Sequence, residues 1–232
     1  KSAPDLIARV KAQIAWLEQH TAADLIVIAC NTASTLVLPE LRRQTDTPVV
    51  GVVPAIKPAA AHSDTGVIGL LATPGTVQRD YTACLIEEHA GHCEVISVGS
   101  TELVVLAEQK LRGQPPNRAS LRAILSPFLQ HARHKQLDTM VLACTHFPLL
   151  AEELADAYGS SIHWVDSGTA IAARVAYLLE IDPLAGEPAN QGAIRPTGNR
   201  ALFSEPPAEM SALGPWLAKL EMSADPAPRG ID

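Results

Sequence analysis

Short apolar runs alternate along the chain with stretches in which apolar residues recur every three or four positions. From Leu6 to Leu17 the apolar residues follow helical spacing, which predicts a helix over residues 4–20. The runs at 25–29 and 139–143 are short and continuous, as is typical of strands buried on both faces. Further strands are predicted at 48–53, 67–72, 93–98 and 161–165. A helix is predicted after the run at 25–29, ending at about Arg43, and another after the run at 139–143, ending at Tyr158. The remaining helices are predicted at 56–62, 76–89, 101–111, 119–134 and 168–180.

This alternation of strands and helices predicts an α/β fold with parallel sheets flanked by helices, because parallel strands are joined by helical crossovers. Beyond Ile181 the sequence is rich in Pro, Gly and Asn, which favours a loop over 182–198. A last strand at 201–204 and a helix at 209–221 complete the prediction. The final ten residues are expected to fray.

One stretch of the sequence nearly recurs. D-L-I-V-I-A-C-N-T at 24–32 is matched in the same frame by D-T-M-V-L-A-C-T-H at 138–146. In both copies an apolar strand ends on a cysteine, Cys30 in the first and Cys144 in the second. The repeat predicts two pseudo-symmetric domains with the active site in the cleft between them. Their expected ranges are 1–54 with 165–225 for the first and 55–164 for the second, followed by a frayed tail at 226–232.

Both cysteines fall where ligands bind in open parallel sheets, at the carboxyl ends of strands. The N–H groups of the following helix attract carboxylates and favour a thiolate, and Asn31, Thr32, Thr145 and His146 add polar side chains. Either cysteine alone is equally well explained as a small apolar residue at the end of a strand. Two opposed thiols suit the removal of a proton from one face of a carbon and the return of one to the other face, which is racemisation or epimerisation.

Composition narrows the remaining classes of function. A formal net charge of −7 argues against nucleic-acid and anionic-membrane partners, which need clustered Lys and Arg. No apolar run approaches the roughly 20 residues that span a bilayer, and no signal peptide opens the chain, so the expected compartment is the cytoplasm. The 4 cysteines form no C-x-x-C pair and are expected to be free thiols.

Other candidate residues carry weaker signals. Cys84 and Cys93 have no matched partner and are assigned to packing. His89 and His92 lie beside Cys93, but no second ligand pair follows at a spacing typical of metal sites, so no metal is expected. The glycines after the strand at 67–72 match neither nucleotide-binding motif, and no lysine motif for pyridoxal phosphate is present. The expected cofactor is none.

The repeated segments resemble the cofactor-independent glutamate racemases of the aspartate/glutamate racemase superfamily. I-A-C-N-T-A with P-V-V-G-V-V-P-A-I-K-P-A is similar to the first cysteine segment of that family, and L-A-C-T-H-F-P-L-L to the second. The match extends to about Leu179, and the T-H-F-P ending favours glutamate over aspartate. The resemblance implies interconversion of L- and D-glutamate, which supplies D-glutamate for peptidoglycan.

The resemblance also implies roles for individual residues. Cys30 and Cys144 are the catalytic thiols, with Cys30 facing D-glutamate and Cys144 facing L-glutamate. The residues expected to bind substrate are Asn31, Thr32, Thr76, Thr145 and His146, and Glu108 is the acidic partner of the catalytic His146. Without the family spacing, Thr76 is equally a helix cap, Glu108 is more often a solvated residue, and His146 alone is more often structural.

Two segments typical of the family, D-S-G-x-G-G and P-Y-G, do not occur in this sequence. We therefore expect a strand-helix-strand region to precede Lys1 in the native protein. A racemase for aspartate or a related acid is the alternative within enzymes, and a non-catalytic binding fragment of the same fold is the alternative outside them. The sequence leaves the oligomeric state open, with a homodimer as one option, and does not reveal activators.

Overall fold

The structure is a computed structural model, and it describes residues 3–41, 43–159, 162–180, 198–204 and 210–225. The helices are α1 (Ala3–His20), α2 (Asn31–Leu41), α3 (Ile56–His62), α4 (Pro74–Val77), α5 (Asp80–Ala90), α6 (Glu102–Leu111), α7 (Arg118–Gln130), α8 (Ala151–Tyr158), α9 (Gly168–Leu178) and α10 (Met210–Lys219). The strands are β1 (Ile26–Ile28), β2 (Val49–Gly51), β3 (Val67–Ala72), β4 (Glu94–Gly99), β5 (Thr139–Ala143), β6 (His163–Val165), β7 (Asn199–Leu202) and β8 (Met222–Asp225). Short 3₁₀ turns cover His134–Gln136 and Phe147–Leu150.

Every strand pair in the described part of the chain is parallel. The largest sheet has the order β4-β3-β5-β6, β1 pairs with β2 in a second sheet, and β7 pairs with β8 in a third. In the largest sheet Leu70 lies opposite Val141, which aligns the carboxyl ends of β3 and β5. The predicted α/β class with parallel sheets and flanking helices is confirmed. No helix of the described residues is long and apolar enough to cross a membrane.

The core lies on both faces of the four-stranded sheet. All residues of β3 and β5 are buried, so their side chains divide between the two faces. Val67 and Leu71 pack with Phe128 and Phe147 on one face, whereas Ile68 and Leu70 join a smaller cluster beneath α3 on the other. Burying a side chain such as Phe147 contributes about 1.5–3 kcal/mol. These interactions hold the carboxyl ends of β3 and β5 in place.

The two-stranded sheet is held by α1 and α2. Val10 and Ile14 of α1 pack against Val37 and Leu41 of α2 over the strands. Ser34, fully buried on α2, donates its hydroxyl to the Ile28 carbonyl at 3.1 Å and accepts the Val52 N–H at 3.0 Å. This single side chain therefore joins the ends of β1 and β2 to the first turn of α2.

The chain passes from the two-stranded sheet to the four-stranded sheet after β2, and after β6 it continues into α9, which contacts β2. The hydroxyl of Ser167, just after β6, donates to the carbonyl of Val53, just after β2, at 2.6 Å. The segments that follow β2 and β6 are thus hydrogen-bonded to each other.

The structure corrects several predicted elements. The helix expected after Cys144 up to Tyr158 begins with the 3₁₀ turn Phe147–Leu150, and α8 follows it. The helix expected at 76–89 is interrupted, because Arg79 has an extended backbone (ψ 132°) that ends α4 and precedes α5. The final ten residues are expected to fray, but residues 223–225 belong to β8, so that prediction is wrong for these three residues. Residues 182–197 of the predicted loop at 182–198, and the tail at 226–232, lie outside the described residues.

Candidate active site

The loops that follow β1 and β5 bring the two repeated segments to one cavity of about 230 Å³. Its lining residues are Ala29, Cys30, Asn31, Thr32, Thr73, Thr76, Val104, Ala143, Cys144, Thr145 and His146. Every residue singled out from the sequence as a site residue lines this cavity except Glu108, which reaches it through His146.

Cys30 is exposed and lies directly before α2. The Ala33 N–H points at its Sγ at 3.5 Å, and the Ser34 N–H donates to its carbonyl at 2.9 Å. The thiol thus lies against the unpaired N–H groups of a helix start, as the sequence predicts.

Cys144 has different surroundings, with only 8% of its surface exposed. Burial raises the pKa of the Cys144 thiol, and the nearby Cys30 adds to that rise. Hydrogen bonds from the backbone N–H groups of His146 and Phe147 lower this pKa, but they do not offset the rise. The expectation that the following helix start lowers this pKa is wrong, because the turn after Cys144 is a 3₁₀ turn of 4 residues and desolvation dominates.

His146 lies between Cys144 and Glu108. Its Nδ1 is 3.9 Å from Cys144 Sγ, and its Nε2 is 3.0 Å from Glu108 Oε1. Burial opposes ionisation of Glu108, but hydrogen bonds from Arg112 and His146 outweigh it, and the pKa of Glu108 is lowered. The structure therefore brings together the three residues of the predicted thiol, imidazole and carboxylate chain.

Three threonine hydroxyls meet in the lining of the cavity. Thr32 Oγ1 is 3.3 Å from the hydroxyls of both Thr73 and Thr76, which are 3.1 Å from each other. Thr76 is fully buried, and its carbonyl accepts the Thr82 hydroxyl at 2.7 Å. Sequence reasoning missed Thr73. Its position directly after β3, at the same edge of the sheet as Cys144, was the available signal.

Asn31 and Thr145 lie between this cavity and a second one of about 270 Å³, which they also line together with Cys144. Asn31 is 4% exposed, and its Oδ1 has no hydrogen-bond partner among the described residues. A buried acceptor without a donor costs about 1–3 kcal/mol, so this oxygen is poised for a donor from a ligand. The second cavity adds Asp166 and Ser167 to the lining.

The described lining of the first cavity contains no lysine and no arginine. Its possible donors are hydroxyls, thiols, backbone N–H groups, the Asn31 amide and the His146 ring. Within the described ranges, no group of three His, Cys, Asp or Glu side chains could hold a metal ion. Cys93 packs against the cluster beneath α3, as predicted, but Cys84 is exposed on α5, so its assignment to packing is wrong.

Comparison with known proteins identifies the family. A family model described as Asp/Glu/Hydantoin racemase matches residues 1–175. The chain belongs to this racemase family. This chain is 54% identical over 170 residues to a glutamate racemase of Shewanella halifaxensis, a match that covers 71% of this chain and 62% of that protein. A glutamate racemase of Klebsiella pneumoniae is 51% identical over 180 residues, which cover 78% of this chain and 63% of its own.

This chain thus spans less than two thirds of the length of these curated relatives. Among solved structures, glutamate racemase of Escherichia coli, in complex with L-glutamate and the activator UDP-MurNAc-Ala, superposes with a TM-score of 0.87 at 43% identity. The superposition covers 99% of this chain and 84% of that one. The resemblance drawn from the two cysteine segments is therefore confirmed at the level of the family and the fold.

Proposed function

We propose that this protein interconverts L-glutamate and D-glutamate, with two cysteine thiols as acid and base and without a cofactor. The observation that carries the proposal is that Cys30 and Cys144 line one cavity, each at the carboxyl end of a strand from a different sheet. The relatives named above support glutamate as the substrate, because all of them are glutamate racemases. In the proposed domain division, 1–54 with 165–225 and 55–164, each half contributes one thiol.

The proposed reaction transfers protons between carbon and sulfur. One thiolate takes the Cα proton, and the electron pair of the C–H bond is delocalised onto the substrate carboxylate. The thiol on the opposite face then gives up its proton, so a new C–H bond forms and a thiolate remains on that side. Cys144 would remove the proton from L-glutamate and Cys30 from D-glutamate, as the family resemblance implies. Each turnover leaves the two thiols with exchanged protonation states.

Neutral groups would hold the substrate. The N–H groups at the start of α2 and the hydroxyls of Thr32, Thr73 and Thr76 suit the carboxylates. The unpartnered Asn31 Oδ1 suits the α-ammonium group, whose N–H would satisfy it. Thr145, exposed at the mouth of the cavity, offers a further hydroxyl.

The proposed role in the cell is the supply of D-glutamate for peptidoglycan. The proposed compartment is the cytoplasm, where the 4 free cysteines are expected to stay reduced. A homodimer is the proposed assembly.

The test is a comparison of turnover with each enantiomer of glutamate and of aspartate, followed by chiral chromatography of the purified protein's products. We expect racemisation of glutamate in both directions and little of aspartate. Activity is expected to survive dialysis against a chelator and treatment with a carbonyl-trapping reagent, because two thiols suffice for the proton transfers. Loss of activity after either treatment, or preference for aspartate, would count against the proposal.

A further inference from the structure

Arg112 lies directly after the end of α6, four residues beyond Glu108, and binds the carboxylate oxygen that His146 does not use. Its Nη1 donates to Glu108 Oε2 at 2.8 Å and to the Glu108 carbonyl at 2.8 Å. The other carboxylate oxygen, Oε1, lies 3.0 Å from His146 Nε2. The carboxylate is therefore held from two sides, by its own helix and by the loop that follows β5.

This arrangement dictates which nitrogen of His146 carries a proton. Glu108 is ionised at neutral pH, since its pKa is lowered from an already acidic value. A carboxylate only accepts hydrogen bonds, so His146 Nε2 must be the donor. In the neutral ring the other nitrogen, Nδ1, is then a bare acceptor, and Nδ1 is the atom that lies 3.9 Å from Cys144 Sγ.

Without Arg112, Glu108 would be free to turn away. The Glu108 side chain is 35% exposed, so water competes for its oxygens. The nearest other cation on the same helix, Lys110, is already paired with Glu153 at 2.6 Å and bonded to the Leu149 carbonyl. Arg112 and His146 are thus the two side chains of the described residues that hydrogen-bond to the Glu108 carboxylate.

We propose that Arg112 is a positioning residue, which acts through Glu108 to fix His146 in the Nε2–H tautomer and so keeps Nδ1 available for the proton of the Cys144 thiol. The S–H bond breaks with its electron pair left on sulfur, and the proton joins the Nδ1 lone pair, giving a thiolate and an imidazolium. The reverse transfer restores the thiol. The inference deepens the proposed racemisation and rests on it, because it explains how a buried thiol becomes a base.

The first test observes the tautomer directly and needs no activity. Nitrogen-15 NMR of histidine-labelled protein at neutral pH distinguishes the two neutral tautomers, and loss of a signal in His146→Gln assigns the ring. We expect the Nε2–H tautomer in the parent protein, a mixture of tautomers in Arg112→Met, and recovery of most of the Nε2–H form in Arg112→Lys. The matched control is Arg118→Met, which removes another arginine ion pair, with exposed Asp156, outside the site.

The second test measures catalysis. Arg112 does not line the cavity, so Arg112→Met is expected to lower kcat by up to about 10²-fold while KM changes little. Arg118→Met is expected to match the parent protein in both constants. If Arg112→Met does not fold, Arg112→Gln replaces it with the same expectation, because glutamine lacks the charge and the forked donor.

An unchanged His146 tautomer in folded Arg112→Met or Arg112→Gln would overturn the inference, as would a rise in KM without a fall in kcat in either of these variants. The proposed function and the positioning role of Arg112 can be refuted independently of each other. A protein that shows the tautomer change but no turnover of glutamate would refute the proposed function and leave the positioning role of Arg112 supported.

Discussion

The two cysteines of the repeat are not equivalent at the scale of single residues. Cys30 is exposed before a regular helix, whereas Cys144 is buried, has a raised pKa and faces His146. The matched sequences position two thiols on one cavity, but the side chains around each thiol differ. We therefore expect the two thiols to differ in reactivity towards reagents in solution.

Alkylation tests this difference. The sequence predicts that Cys30 or Cys144 reacts before Cys84 and Cys93. The structure orders the site thiols, because iodoacetamide reaches exposed Cys30 directly and the buried, less acidic Cys144 only with difficulty. Peptide mapping over time is expected to show Cys30 modified well before Cys144, with glutamate slowing the reaction at Cys30.

Exposed Cys84 is the internal control for that experiment, since it lies on α5 and lines neither cavity described above. Its rate of modification is expected to be the same with and without glutamate. Protection of Cys84 by glutamate, or modification of Cys144 ahead of Cys30, would contradict the assignment of the site.

Substitution of each thiol by serine separates the two proton transfers. Both Cys30→Ser and Cys144→Ser are expected to lose racemisation by on the order of 10² to 10⁴, because a hydroxyl is a far weaker base than a thiolate. In D₂O, Cys144→Ser keeps the base that faces D-glutamate and is expected to exchange the Cα hydrogen of that enantiomer. Cys30→Ser is expected to prefer L-glutamate. Proton NMR of the substrate measures both exchanges.

Racemisation by both serine variants at close to the parent rate would show that the two-thiol mechanism is wrong. In that case the repeated segments at 24–32 and 138–146 would have only a structural role.

At the scale of elements, Asp138 shows that the repeat also serves the fold. Its carboxylate accepts the Ser63 hydroxyl at 2.7 Å and the N–H groups of Asp64 and Thr65, each at 2.9 Å. These bonds tie the start of β5 to the turn between α3 and β3. Burial opposes ionisation of Asp138, but the hydrogen bonds outweigh it and its pKa is lowered.

Asp138→Asn is expected to destabilise the protein in a pH-dependent way. A lowered pKa in the folded state means that the carboxylate stabilises the fold above its ordinary value of 3.8 and that this contribution is lost as the pH falls. The free energy of unfolding at pH 7 is expected to fall by about 1–2 kcal/mol, since the bonds are charge-assisted but partly exposed. Urea titrations at pH 7 and below the ordinary pKa measure the difference, which should shrink at the lower pH.

The elements that the sequence predicts best are those specified by local pattern. The strands at 67–72 and 139–143 match β3 and β5 to the residue, because a fully buried apolar run has clear ends. The break between α4 and α5 is not in the pattern, since it depends on the extended backbone at Arg79. Local spacing also cannot show Thr73 meeting Thr32 across the cavity, because that contact joins different sheets.

The pKa of Cys144 illustrates the same limit. A cysteine before a predicted helix start suggests a thiolate, whereas the structure shows that burial in the core outweighs the backbone N–H groups. Burial is a property of the packed fold, and the nine-residue repeat does not encode it. The candidate residues were thus predictable from sequence, but their electrostatic environments were not.

At the scale of the whole molecule, the site depends on how the two sheets are joined. β1 and β5 belong to different sheets, so the separation of Cys30 and Cys144 depends on the segments that follow β2 and β6. The hydrogen bond from Ser167 to the Val53 carbonyl holds these two segments together. Ser167 also lines the second cavity beside Asn31 and Cys144, so this junction adjoins the site.

The described lining of the first cavity contains neither lysine nor arginine. This composition affects how fast an anionic substrate associates with the site. Long-range attraction speeds association only where clustered charge of the opposite sign faces solvent, and this chain carries a formal net charge of −7. Glutamate would reach the site by unassisted diffusion and be selected by geometry after arrival. Added salt screens the weak repulsion, so kcat/KM is expected to stay level or rise slightly between about 0.05 and 0.5 M ionic strength, and a steep fall would reveal steering by cations.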